Sequence, residues 1–170
     1  TSPVLSNFIC LALDRDLLEF STAQELTYTR YADDLTFSSN FLITSDHILD
    51  IINIIHEQRF QINEKKLRLQ TSNQKQSVTG LTVNDKVNVD RKLLKKVRAM
   101  LHDLTTNGLD IATKRHFKLE NLTGYKLKGT FIHRLEGYIN FIGQIRGEYD
   151  ILYMKHKQTF NEFFERELVE

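Results

Sequence analysis

Leu26-Thr27-Tyr28-Thr29-Arg30-Tyr31-Ala32-Asp33-Asp34-Leu35-Thr36-Phe37-Ser38-Ser39 divides into two runs of β-forming residues around a pair of adjacent acids. Thr, Tyr, Phe and Leu suit a pleated strand, and the polar Asp33-Asp34 pair falls where a tight hairpin would turn. Two neighbouring carboxylates held at such a turn repel one another unless a cation lies between or beside them. Mg2+ is a cation that prefers carboxylate oxygens. The alternative is a solvated acidic turn, which is a common feature of protein surfaces.

Working outward, residues 4–20 carry Leu5, Phe8, Ile9, Leu11, Ala12, Leu13, Leu17 and Leu18 at helical spacing, with Pro3 at the start. Thr44-Ser45-Asp46 offers an N-cap for a second helix reaching about Arg59. Residues 60–70 alternate like a strand, and residues 76–84 and 86–90 read as a hairpin around Asn84-Asp85. This succession predicts an α+β layout, an antiparallel sheet with helices on one face. After Asp90 the pattern becomes helical throughout. A basic amphipathic helix over 91–102 takes Asp90 as its N-cap and ends at Asn107-Gly108; further helices are predicted over 111–121, 128–146 and 150–168. A boundary is therefore expected near residue 90, between residues 1–90 and 91–170.

The 170 residues are 41% hydrophobic, enough for a real core, and contain one proline and seven glycines, too few for long linkers. Cys10 is the single cysteine, which excludes an internal disulfide and a Cys-rich zinc site and suits a buried, inert thiol in a cytoplasmic setting. No run of apolar residues is long enough for a membrane span, and no signal peptide is evident. The first residue is Thr, so upstream sequence is expected. Charge is uneven. Residues 1–85 carry 7 Lys/Arg against 11 Asp/Glu, residues 86–134 carry 12 against 4, and residues 135–170 carry 4 against 7. A basic segment between two acidic ones is the pattern of a chain that meets a polyanion along one stretch. His56, His102, His116, His133 and His156 lack ligand-like spacing and read as structural or surface residues.

Four blocks then stand in order: Thr1-Ser2-Pro3-Val4-Leu5-Ser6-Asn7, the Tyr31-Ala32-Asp33-Asp34 turn 26 residues after Asn7, Phe60-Gln61-Ile62-Asn63-Glu64-Lys65-Lys66, and Val78-Thr79-Gly80-Leu81-Thr82-Val83-Asn84. This ordered set resembles the second half of a bacterial reverse transcriptase. The retron type is the nearest match, with group II intron and phage-defence relatives as neighbours. The resemblance covers roughly residues 1–147 and implies a partial polymerase palm followed by an all-helical thumb.

The resemblance implies RNA-directed DNA synthesis, a phosphoryl transfer in which the protein chiefly positions groups and neutralises charge. Two Mg2+ ions (Mn2+ being the alternative), about 3.5–4 Å apart, would clamp the attacking and leaving oxygens. Asp33 is the implied direct ligand and Asp34 a supporting one; Tyr31 and Ala32 would lie beside the primer end. Ser2, Pro3, Ser6 and Asn7 would line the nucleotide pocket, although Ser2 and Ser6 equally suit ordinary helix capping. Lys66 would neutralise the leaving pyrophosphate or donate a proton to it, with Lys65 as its rival; Leu67 stands where the family has Thr. Thr79, Gly80 and Leu81 resemble the primer-grip hairpin. Arg91, Lys92, Lys95, Lys96 and Arg98 would meet phosphates along the thumb, a salt-sensitive contact without base specificity. Gly137 resembles a close-packing glycine of the thumb's closing helix.

A complete enzyme of this type has a further metal-binding Asp upstream and a fingers region, neither of which this sequence contains. Residues 1–170 alone are therefore expected to be inactive, and an N-terminal fingers and palm polypeptide, from the same gene or a split subunit, is an expected partner. The retron type further implies a structured non-coding RNA as template and primer, its cDNA, a ribonucleoprotein, an effector protein and a role in anti-phage defence. The alternatives are a non-catalytic RNA-binding scaffold and a group II intron maturase-type enzyme.

Overall fold

A computed structural model describes the backbone of residues 2–117 and 124–167 and the side chains of residues 4–117 and 129–165. The chain divides into two compact units, Thr1–Thr79 and Gly80–Glu170.

The first unit opens with α1 (Ser2–Ile9) and α2 (Leu11–Ala23). The interruption at Cys10 is slight. Its N–H donates to the Ser6 carbonyl at 3.0 Å and its carbonyl accepts from the Asp14 N–H at 2.7 Å, so the single helix expected over 4–20 is present in two segments. Cys10 is buried, as the sequence suggested. Strands β1 (Thr27–Tyr31) and β2 (Asp34–Ser38) pair antiparallel, with Tyr31 opposite Asp34. The hairpin lays Tyr28, Leu35 and Phe37 against a core of Leu13 and Leu17 from α2 and Ile51 and Ile55 from α3 (Ser45–Glu57). Each of these four buried aliphatic side chains gains about 1.5–3 kcal/mol relative to full exposure. The Tyr28 and Phe37 rings, paired across the strands, have centroids 5.1 Å apart. Helix α3 starts at a capping box. The Thr44 hydroxyl accepts from the His47 N–H at 3.4 Å, and the Thr44 N–H donates to His47 Nδ1 at 3.2 Å.

Two sequence expectations are corrected in the segment that follows. Residues 60–70 alternate, yet they form no strand; instead a 3₁₀ turn occupies Glu64–Lys66, and the Lys66 N–H donates to the Asn63 carbonyl at 2.8 Å. A strand needs a partner, and none pairs with this segment among the described residues. Phe60 and Ile62 produce the alternation by packing on the core of α2 and α3. The hairpin expected around Asn84-Asp85 turns earlier, between β3 (Ser77–Val78) and β4 (Leu81–Thr82). Thr79 and Gly80 both have positive φ, 46° and 85°, the signature of the tight type I′ turn. Only one bridge, Thr82 with Asn88, closes the Asn84-Asp85 loop. The class is mixed α and β, but the expected single sheet is two separate two-stranded pieces.

The second unit holds α4 (Arg91–His116), α5 (Gly124–Arg146) and α6 (Ile151–Glu167), each packed on the other two. The Asp90 carboxylate caps α4 by accepting from the Lys92 N–H at 2.6 Å. At Gly108, φ is 74° and ψ 170°, so the expected stop at Asn107-Gly108 appears as a break between two helical stretches. The last residues of the helix expected over 111–121, and residue 168 of the one expected over 150–168, lie outside the described residues. Val97, Met100, Leu104, Phe131, Leu135, Ile139 and Ile142 make a fully buried core. Gly137 is not the glycine of close approach, since a Cβ there would meet nothing within 4 Å. That role falls to Gly143, where a Cβ would come within 2.6 Å of the Tyr153 ring.

His156 is buried in this unit, and its Nδ1 finds no hydrogen-bond partner among the described residues. Burial first, then Arg98, Lys155 and Arg146, hold its imidazole below the ordinary histidine range, against the opposing pull of Asp150. The unfolded chain takes up this proton near pH 6.5 and the folded chain resists it. The stability tied to neutral His156 is thus fully present above about pH 6.5 and is lost as pH falls through the folded-state value. The melting temperature is expected to drop between pH 7 and pH 5, and His156→Gln to flatten that slope. An equally steep slope in the variant would exclude His156 as the source. Among the described residues no helix is long and apolar enough to cross a membrane.

Candidate active-site hairpin

The site is built on the two-residue connection between β1 and β2. Ala32 has φ 54°, the left-handed region, which costs an L-residue about 1–2 kcal/mol. This conformation lets the chain reverse at Ala32-Asp33, one residue earlier than the turn expected at Asp33-Asp34; Asp33 stands at the tip and Asp34 opens β2 opposite Tyr31, both exposed. Asp33 is 83% exposed, and the Lys66 Nζ stands 3.9 Å from its Oδ2, itself 65% exposed. Such an open pair adds little to stability. What matters is that Lys66, carried by the 3₁₀ turn, lies beside the first acid of the pair. Among the described residues no three His, Cys, Asp or Glu side chains cluster as a metal-holding group.

Beneath the tip lies a polar network that the sequence reading did not single out. Arg30 grips Asp14 of α2 in a fork, Nε to Oδ1 at 2.7 Å and Nη2 to Oδ2 at 2.6 Å. Its Nη1 donates to the Ala32 carbonyl at 2.9 Å and to Asn7 Oδ1 at 3.2 Å. The Ser6 hydroxyl donates to that same carbonyl at 3.3 Å, and the Tyr28 hydroxyl donates to Asp14 Oδ1 at 2.7 Å. The Arg30 fork holds the Asp14 carboxyl below the usual carboxylate range, although burial pulls the other way. Burial, then the neighbouring Asp14 carboxylate, push the Tyr28 phenol up. The hydrogen bond to Asp14 pushes the Arg30 guanidinium further up. One signal for this network was available: Arg30 shares an inward strand face with Tyr28, and a buried charge demands a partner.

Of the residues implied for the nucleotide pocket, Ser6 and Asn7 stand against the hairpin through the bonds just described, while the side chains of Ser2 and Pro3 lie outside the described ones. Tyr31 is 72% exposed beside the turn. Thr79 closes the first unit as an exposed turn residue. Gly80 and Leu81 open the second, where Arg91, Lys92, Lys95, Lys96 and Arg98 are all exposed on the first turns of α4. Lys96 is partly committed, with its Nζ 2.9 Å from the Tyr138 hydroxyl and 4.6 Å from that ring's centroid.

No family model matches the chain. Comparison with curated proteins shows that the chain is similar to bacterial reverse transcriptases over part of their length. The matching relatives are of the retron type. The retron Mx65 reverse transcriptase of Myxococcus xanthus is 40% identical over 103 residues, covering 60% of this chain and 24% of the relative. The retron Ec86 reverse transcriptase of Escherichia coli is 35% identical over 106 residues, 61% of this chain and 33% of the relative. The retron Ec83 reverse transcriptase of Escherichia coli is 27% identical over 151 residues, 80% of this chain and 46% of the relative. The chain thus spans between about a quarter and a half of the relatives' lengths.

Proposed function

We propose that this chain is the palm and thumb portion of a retron-type RNA-directed DNA polymerase, with residues 1–90 the palm part and residues 91–170 the thumb. One observation carries the proposal: Asp33 stands at the tip of a two-residue hairpin connection and Asp34 opens the strand that follows it, both exposed, with Lys66 3.9 Å from Asp33. The donor set fits a hard cation, because exposed carboxylate oxygens leave room for the waters and phosphates that Mg2+ keeps in its shell. Asp33 and Asp34 would hold the metal (Mg2+, with Mn2+ as substitute), which when bound supplies charge stabilisation to the transferring phosphoryl group. Lys66 has the length and charge to neutralise the pyrophosphate as it leaves. Ser6 and Asn7 support the hairpin that carries the acids and, with Ser2 and Pro3, are assigned to the nucleotide pocket. Tyr31, Ala32, Thr79, Gly80 and Leu81 are assigned to the primer and template. The exposed Arg91, Lys92, Lys95, Lys96 and Arg98 are assigned to duplex phosphates.

The natural template and primer would be a structured non-coding RNA copied into cDNA within a cytoplasmic ribonucleoprotein that serves anti-phage defence together with an effector protein. Residues 1–170 alone are expected to be inactive without the N-terminal fingers and palm polypeptide. The test is primer extension on poly(rA)–oligo(dT) with dTTP and Mg2+. Synthesis is expected from the full-length protein, abolished by a chelator, and none from residues 1–170. A full-length protein that binds this duplex yet extends nothing would favour the scaffold reading instead. Steady extension by residues 1–170 would overturn the claim of incompleteness.

A further inference from the structure

We propose that Arg30 is a positioning residue for the acidic turn: it fixes the Ala32 backbone from below, and Asp14 keeps its charge away from Asp33 and Asp34. The inference rests on the metal-holding role proposed above for the two acids.

The argument begins with the strain at Ala32. A left-handed Ala persists only where its surroundings over-determine it. Here two side chains, Arg30 and Ser6, donate to the one Ala32 carbonyl, at 2.9 and 3.3 Å. That carbonyl belongs to the peptide leading directly into Asp33, so fixing it fixes the direction in which Asp33 leaves the strand. Arg30 can do this because its guanidinium is itself held. Its side chain is only 9% exposed, and a charge so placed needs a rigid partner. Asp14 supplies one through two parallel bonds, and Tyr28 steadies Asp14 in turn.

The second half of the argument concerns charge. A guanidinium three residues before Asp33 is a natural competitor for that carboxylate, and bidentate Arg–carboxylate pairs are among the strongest available. The fork to Asp14 commits Nε and Nη2 away from the tip, and Nη1 is spent on the Ala32 carbonyl and Asn7. The acids at the tip are therefore left to a cation from solution. A lysine could not reproduce this arrangement, because it offers a point charge in place of a planar fork.

The experiment uses the full-length protein with two readouts. The first is single-nucleotide extension on poly(rA)–oligo(dT) across a Mg2+ titration. Arg30→Lys is expected to lower kcat by about 10²-fold, as a misplaced reacting geometry does, with KM for dTTP little changed. Asp14→Asn, which frees Arg30 to pair with the tip, is expected to raise the Mg2+ concentration needed for half-maximal rate. In an Ala32→Gly background, where a positive φ carries no penalty, the loss on Arg30→Lys is expected largely to disappear. The second readout is hydrogen exchange over residues 31–35, expected to quicken in Arg30→Lys. If kcat, the Mg2+ requirement and exchange at the turn are all unchanged in both variants, the proposal is overturned. An inactive wild type would instead overturn the polymerase reading, and exchange at the turn would still decide the clamp.

Discussion

Asp33→Asn in the full-length protein is expected to lower the rate of nucleotide incorporation by about 10²–10³-fold, the effect of losing several kcal/mol of charge stabilisation in the transition state. The substitution is nearly isosteric. The turn at Ala32-Asp33 and its pairing with β1 and β2 should survive, so far-ultraviolet circular dichroism should not change. What is lost is one negative charge at the tip, together with the ion pair to Lys66. Asp34→Asn is expected to cost less, because Asp34 is assigned a supporting role. Pre-steady-state single-nucleotide incorporation at saturating dTTP separates this loss of chemistry from a loss of binding. A variant retaining near-normal incorporation would end the assignment of Asp33 to the metal.

Phe131→Ala is expected to destabilise the second unit by about 3–5 kcal/mol, the usual cost of deleting a fully buried aromatic ring. Phe131 is inaccessible to solvent and lies among Val97, Met100, Leu104, Leu135 and Ile139 in the same core. Its ring meets Phe117 edge-on at 5.9 Å and lies 6.1 Å from the His116 ring. Both contacts vanish with the side chain, which leaves Arg134 over the Phe117 ring as a contact of α5 with the C-terminal end of α4. Urea unfolding of the full-length protein, followed by the helical signal, should show a transition at clearly lower denaturant. A shift equivalent to less than about 1 kcal/mol would mean that the site collapses freely and that the core is less tightly packed than described.

Much of this was legible in the sequence where the determinant is local. Thr27 to Ser38 declare a hairpin because the β-formers and the acidic turn stand side by side. Thr44 and Asp90 declare helix starts because capping is decided within three residues. The errors arise where a distant partner decides. Phe60 and Ile62 mimic a strand because two apolar residues on a core look the same as one face of a sheet. Asn84-Asp85 is the stronger turn signal, yet the chain reverses at Thr79-Gly80, where a β-branched residue at positive φ runs against propensity. At the candidate site, the resemblance pointed to Asp33, Asp34 and Lys66. The Arg30–Asp14 fork spans 16 residues and joins a strand to a helix, and Asp14 by itself looks like any polar residue in a helical pattern.

Gly143 brings the α5 backbone against the flat of the Tyr153 ring on α6. The ring acts as a bolt seated in a keyhole that only the smallest amino acid leaves open. Sliding one rod along the other, or adding a side chain at position 143, would force the phenol out of its seat, so the contact favours one register of these two helices.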